Sequence, residues 1–190
     1  MQEKEWKWLV TKEHFDALLR LAEYFAQTKG DTRLQINHYY DTIDRKIAAQ
    51  NICVRIRQTE GGLWGTVKKH GDNGTSEETG FRVEMLPRFV TYENCLLHRL
   101  GALVTQRTDF TVGEIAKLSF DRNFYLGETD YEIELEFLEE KEPESLDEWY
   151  RACFPAGRFR SKYERFLTAL ERLERESETS TRVIRERNEL

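Results

Sequence analysis

Residues 131–137 read YEIELEF. Strand side chains alternate between two faces, so Glu132, Glu134 and Glu136 fall on one side of this segment, and Ile133 and Leu135 on the other. Successive carboxylates on that side stand roughly 6.5–7 Å apart. Glutamate is depleted in strands, and a row of like charges repels itself. The fold must either bring cations to this face or leave it in water.

Other segments repeat the pattern. In EKEWKWLV, Glu3, Glu5 and Lys7 alternate with Trp6 and Trp8. Arg55 and Arg57 alternate with Val54 and Ile56, and Lys68, Arg82, Glu84, Arg107 and Asp121 stand in further strand-like runs. Any one of these pairs suits the solvated outer face of a half-buried strand. The whole series, set opposite faces rich in Val, Ile, Leu, Phe and Trp, suggests the reverse of an ordinary small barrel: an apolar exterior packed under helices and a charged interior. Burying an unpaired ion costs several kcal/mol, about 3–5 when a partner is removed. Mixed acidic and basic walls offset part of that. In such a lumen without ligand, like carboxylates are expected to raise one another's pKa and to work against folding at neutral pH.

Breakers and periodicity order the rest. The first ten residues read as a strand. Thr11 caps a helix of roughly residues 12–27, with Phe15, Leu18, Leu19, Ala22 and Phe25 on its apolar side, stopped by Gly30. INHYYDT, NICVRIRQT, LWGTVKK and FRVEML read as strands, with the hairpin signal TEGG and the loop HGDNGTSEETG between them. VTYENCLLHRLG reads as a short helix between Thr91 and Gly101. Strands resume in LVTQRTDFTV, EIAKLSFDRNFYL and TDYEIELEFL. Pro143 then precedes helices near 145–153 and 160–175. About eight strands with flanking helices make an α+β domain, and a closed antiparallel barrel would leave no open edge.

Composition narrows the function. The 190 residues carry a net charge of −6 despite 29 basic residues, a poor balance for coating nucleic acid. Cys53, Cys95 and Cys153 are odd in number and lack metal-ligand spacing, which suggests reduced thiols in a cytosol. No apolar run is long enough to span a membrane and no signal-peptide core opens the chain, so a cytoplasmic protein without a membrane partner is expected. There is no zinc-type cluster, no glycine-rich phosphate loop before a helix and no Ser-His-Asp order. His38 and His98 read as structural. What remains is hard-oxygen chemistry. Carboxylates on neighbouring strands, about 4.8 Å apart, can share Mg²⁺ or Mn²⁺. Arginine and lysine match phosphate oxygens.

In order along the chain, EKEWK, VRIR, TVK, RVE, TQR, FD, EIELE and RSKY resemble the CYTH superfamily, the triphosphate tunnel metalloenzymes, over about residues 3–170. The opening is similar to their E-x-E-x-K signature. The size and the RSKYERFL ending are most similar to the short bacterial members of the YjbK-like type. The resemblance implies a closed eight-stranded antiparallel tunnel over residues 1–175, with flanking and C-terminal helices and a polar tail or helix extension over residues 176–190. It implies a metal-dependent hydrolase of triphosphates, foremost inorganic tripolyphosphate or a nucleoside triphosphate, with Mg²⁺ or Mn²⁺.

By the same resemblance, Glu3, Glu5, Glu84, Asp121, Glu132, Glu134 and Glu136 would be the metal-side carboxylates. Lys7, Arg55, Arg57, Lys68, Arg82, Arg107 and Lys162 would hold phosphate oxygens. Glu5, Glu134 and Lys7 would stand nearest the chemistry, with Glu5 or Glu134 as an alternative base. One ion would bridge phosphate oxygens and a second would position water for in-line attack. Thr105 departs from the pattern, because some members carry a basic residue there. Adenylyl cyclase chemistry, thiamine triphosphate hydrolysis and non-catalytic binding of polyphosphate or a nucleotide stay open, as does a homodimer. Trp6, Trp8 and Trp64 are expected to pack in the core or on the outer face.

Overall fold

A computed structural model describes residues 5–70, 76–112, 116–137 and 160–188. Glu3 and the helix expected near 145–153 lie outside them, and of Glu5 only the backbone is described. The chain runs β1 (Glu5–Val10), α1 (Lys12–Ala26), β2 (Asp31–Asp41), a 3-10 turn (Ala48–Gln50), β3 (Ile52–Thr59), β4 (Gly62–His70), β5 (Ser76–Val83), β6 (Phe89–Tyr92), β7 (Cys95–Val112), β8 (Ala116–Tyr125), β9 (Glu128–Phe137) and α2 (Lys162–Asn188). The strands form one antiparallel sheet in the order β1-β9-β8-β7-β2-β3-β4-β5, with β6 on β7. Among the described residues no helix is long and apolar enough to cross a membrane.

The sheet coils round a cavity, and among the described residues its hydrogen-bonded path runs from β1 to β5 without closing. Among the described residues no pairing joins its edges, β1 and β5. Lys7 of β1 and Glu78 of β5 nonetheless line the same cavity, so curvature brings the edges round to one space. The antiparallel tunnel expected from the sequence is thus present as a curled sheet, whose β1–β5 ladder is not formed among the described residues.

The segment read as a helix over 91–101 is instead the β6–β7 hairpin. Glu93 and Asn94 both take left-handed conformations (φ 44° and 63°), as a two-residue turn of strand-matching twist requires. Leu97 is thereby fully buried beside Tyr40, Ile52, Val54 and Ile56. Pairing along the whole of β2 outweighs the modest helical preference of CLLHRL.

The apolar side faces outward, as the alternation requires. Trp8, Phe110, Phe120 and Ile133 pack under Phe15 of α1, whose rings meet edge to face with Phe15 and Phe120 centroids 5.6 Å apart. Thr11 caps this helix by accepting the His14 N–H at 3.3 Å. Its end comes at Gln27 (φ 51°), before Gly30, and its packed face ends at Ala22, leaving Phe25 exposed rather than on the core side. The second helix behaves differently. Tyr163, Phe166 and Ala169 of α2 pack on Tyr39, Cys53, Leu103 and Tyr125. Tyr39 shares a face with Arg55, so α2 enters the charged side of the sheet and plugs one end. Gly101 permits this, since a Cβ there would lie 2.9 Å from Phe166 Cζ. From residue 171 to 179 the helix is exposed, and it runs past residue 176 without a break.

Candidate active site

Glu132 and Glu134 reach the interior at 2% and 7% exposure. Register sets Glu134 between Lys7 of β1 and Ser119 of β8, and Glu132 beside Asp121. Lys162, the first residue of α2, extends Nζ among three carboxylates: 2.8 Å from Asp121, 2.9 Å from Glu132 and 2.6 Å from Glu134. Arg107 donates two parallel bonds to Asp121, at 2.7 and 2.5 Å, and a third to Glu134. Arg165, one helical turn beyond Lys162, binds Asp130 at 2.8 Å and also Glu132. Lys7 Nζ stands 3.6 Å from Glu134.

Cations face the glutamate row, so the mutual repulsion expected from the sequence is overcome at Glu134 and persists at Glu132. Burial would raise the Glu134 carboxyl, but Lys162, Lys7 and Arg107 hold it well below the usual carboxylate range. Its neighbour Glu132 goes the other way, raised by burial and by Glu134 despite Lys162. Burial likewise opposes the charge on Lys162, yet Glu132, Glu134 and Asp121 raise its pKa.

On the facing wall, the described residues give Arg55 and Arg57 few acidic partners. Arg57 donates from Nε to Asn37 at 3.1 Å. Burial, then Arg55 and Arg107, bring its pKa down to about 10. Arg55 reaches Glu78 at 3.3 Å, but its buried Nε has no hydrogen-bond partner. Lys68 stands 3.7 Å from Glu78. His70 is lowered by burial and by Lys68. An orphaned, buried guanidinium N–H on a concave wall is costly unless an anion takes it.

Both walls border one cavity of about 310 Å³. Lys7, Arg55, Arg57, Lys68, Arg107, Asp121, Glu134, Glu136 and Lys162 all line it. Glu132 lies just behind, bonded to Lys162. Arg82 shares the inward face with Arg57 through Trp64, but it is exposed and is not part of the lining. Glu84 lies past the end of β5, exposed, and is not part of the lining either. Glu5 stands opposite Glu136 in register. His38 bonds Gln58 at 3.2 Å, and His98 packs edge-on against Phe89, both away from the cavity. Trp8 is buried and Trp6 packs against Phe137, whereas Trp64 is half exposed and departs from the packing expected of it.

Several residues of the cavity, and of the ion-pair network behind it, escape the sequence reading. Arg165 was findable, being three residues after Lys162 and so on the same helix face. Asp130 continues the period-2 row of β9. Glu78 lay in what read as a loop, and Asn37, Arg33 and Lys117 carry no local signal that separates them from solvated strand residues.

A divalent metal fits the acidic wall chemically. Three carboxylates already surround one cationic atom, an all-oxygen set of the kind Mg²⁺ and Mn²⁺ prefer. Among the described residues, however, no three are gathered closely enough to hold an ion as they stand. The Lys162 ammonium occupies that centre.

Comparison with known proteins agrees with this architecture. A Bacillus halodurans protein solved as a candidate adenylate cyclase is 28% identical, with a TM-score of 0.68 over 86% of this chain and 96% of its own. A Hippeastrum protein, studied as a candidate adenylyl cyclase and found to have a dominant triphosphatase activity, is 19% identical, with a TM-score of 0.58 over 88% and 96%. A Pyrococcus horikoshii protein shares the fold at 15% identity and a TM-score of 0.58, over 87% and 98%. A search of curated protein sequences gave no match. The CYTH domain model matches residues 1–182, nearly the whole length, and the chain belongs to the CYTH domain family.

Proposed function

We propose that the cavity binds a linear triphosphate and hydrolyses a phosphoanhydride bond in it. The observation that carries this reading is a basic wall holding the orphaned, buried Arg55 Nε and the desolvated Arg57, set across one cavity from a carboxylate wall. Arg55, Arg57 and Lys68 are placed to take phosphate oxygens along β3 and β4, arginine by its two-pronged geometry. Arg107 and Lys162 stand where they can exchange a carboxylate for a phosphate oxygen and stabilise charge developing on it. Asp121, Glu132 and Glu134, with Glu136 at the rim, are the residues that would hold Mg²⁺ or Mn²⁺. The ion supplies charge neutralisation and an acidified water when bound. The substrate class is tripolyphosphate or a nucleoside triphosphate, acted on in the cytoplasm.

The triphosphatase activity of the Hippeastrum protein supports hydrolysis, and the Bacillus halodurans likeness keeps cyclisation as the second reading. One panel decides between them. Phosphate release from tripolyphosphate, ATP, GTP and thiamine triphosphate is measured with Mg²⁺, Mn²⁺ or Ca²⁺ and with chelator, and the ATP products are separated. Hydrolysis predicts phosphate, abolished by chelator and weak with Ca²⁺, whose coordination is longer and looser. Cyclic AMP with pyrophosphate would establish the cyclase. No turnover with any metal would reduce the site to a binder.

A further inference from the structure

Trp64 sits on the inward face of the sheet. Arg57, Trp64 and Arg82 stand side by side across β3, β4 and β5, and cross-strand partners share a face. Arg57 lines the cavity, while Trp64 is 51% exposed. The indole lies across the bare backbone of Gly80. A Cβ on Gly80 would come 2.5 Å from Nε1 and 3.0 Å from Cε2 and Cζ2. The ring is therefore braced on one side and open to solvent on the other.

Its place along the cavity matters. At the far end of β4, Lys68 and His70 line the cavity together with Ser161 and Lys162, beside the α2 plug. Trp64 is six residues back, about 20 Å along the strand, at the end away from the plug. Arg33 lines the cavity towards that same end, its side chain 41% exposed. Phosphates that run inward from Arg57 towards Lys162 leave the substituent on the outermost phosphate beside Trp64 and Arg82.

We propose that Trp64, flanked by Arg82, is a stacking platform for a nucleobase carried on the outer phosphate. The substrate class is thereby a nucleoside triphosphate rather than a bare phosphate chain. This rests on the triphosphate reading above and deepens it. Every base offers a π face, so stacking discriminates little among bases, while Arg82 adds a cation beside the ring. The platform separates base-bearing from bare chains and tolerates adenine and guanine alike.

The test uses full-length Trp64→Ala and Trp64→Phe with Mg²⁺. In Trp64→Ala, the ratio of KM for ATP to KM for tripolyphosphate should rise roughly tenfold, and likewise for GTP. Trp64→Phe, which keeps a ring, should hold the ratio within about twofold of wild type, and if Trp64→Ala does not fold, Trp64→Leu, which removes the ring but keeps apolar bulk, should show the same rise. Calorimetry with a methylene-bridged ATP analogue gives the same ordering without turnover, and the analogue should quench a tryptophan signal that Trp64→Phe lacks. An unchanged ratio in folded Trp64→Ala, with both substrates still hydrolysed, overturns the platform and leaves the triphosphatase standing. Absence of any triphosphate binding by the wild type overturns both.

Discussion

On the β8–β9 wall, Asp121, Glu132 and Glu134 meet Arg107, Lys162 and Arg165. On the β3–β4 wall, the partners of Arg55 and Arg57 among the described residues are Glu78 and the Asn37 amide. Both walls arise from the same period-2 alternation, yet one is neutralised by its own cations, while on the other the described residues leave the Arg55 Nε without a partner. The helix α2 makes the difference, because it brings Lys162 and Arg165 to one side only. A metal reaching the acidic wall must displace an ammonium or a guanidinium. A phosphate reaching the basic wall finds donors already desolvated and waiting.

The largest test of that asymmetry is Lys162→Met. Removing the cation at the centre of three buried carboxylates should cost about 3–5 kcal/mol, lowering the metal-free melt by roughly 10 °C for a chain of this size. Mn²⁺ should then raise the melt of Lys162→Met more than that of wild type, since the central position is vacated. Wild-type stability in this variant would mean that the acidic wall does not depend on α2.

Glu134→Gln should also lower the ligand-free stability, because Lys7, Arg107 and Lys162 lose a shared partner. The pH dependence has a definite sign. The folded pKa of Glu134 is depressed, so its contribution is present above the unfolded value of 4.5 and is lost as pH falls through the lower folded value. Urea midpoints of wild type and Glu134→Gln should therefore differ most near neutral pH and converge in acid. Glu132, raised by burial, acts in the opposite direction and is present in both proteins.

Arg57→Ala should barely change stability, since its cation is held at a cost, with a pKa brought down to about 10 from 12.5. Its effect should fall on binding instead. Loss of a charged hydrogen bond, about 1.5–3 kcal/mol, weakens tripolyphosphate roughly 10–100-fold, with Arg57→Lys recovering part. A large fall in the melt with unchanged affinity would assign Arg57 to the scaffold.

How much of this was legible follows from the physics of each signal. The glutamate row of β9, the Trp–Lys alternation of β1 and the Thr11 cap are local, and each reads directly from spacing. The helix misread over residues 91–101 failed because pairing with β2 is non-local and the Glu93–Asn94 turn is not a strong turn sequence. The seam between β1 and β5 depends on how far the sheet curls, which no segment encodes alone. At the site, charge alternation puts Arg55, Arg57, Glu134 and Glu136 on the face that lines the cavity, while Arg82 and Glu84 stand outside it. It could not show that Lys162 and Arg165 would neutralise one wall, because that depends on where α2 docks. Gly101, small enough to admit Phe166, is part of that docking surface.

The asymmetry between the walls is tested most directly by thermal shift of the metal-stripped wild-type protein with each ligand alone. Tripolyphosphate in chelator should raise the melt, by the equivalent of about 2.7 kcal/mol at a hundredfold excess over Kd, while Mn²⁺ alone at the same excess over the protein shifts it less. A larger shift with Mn²⁺ alone, and none with tripolyphosphate alone, would contradict the account.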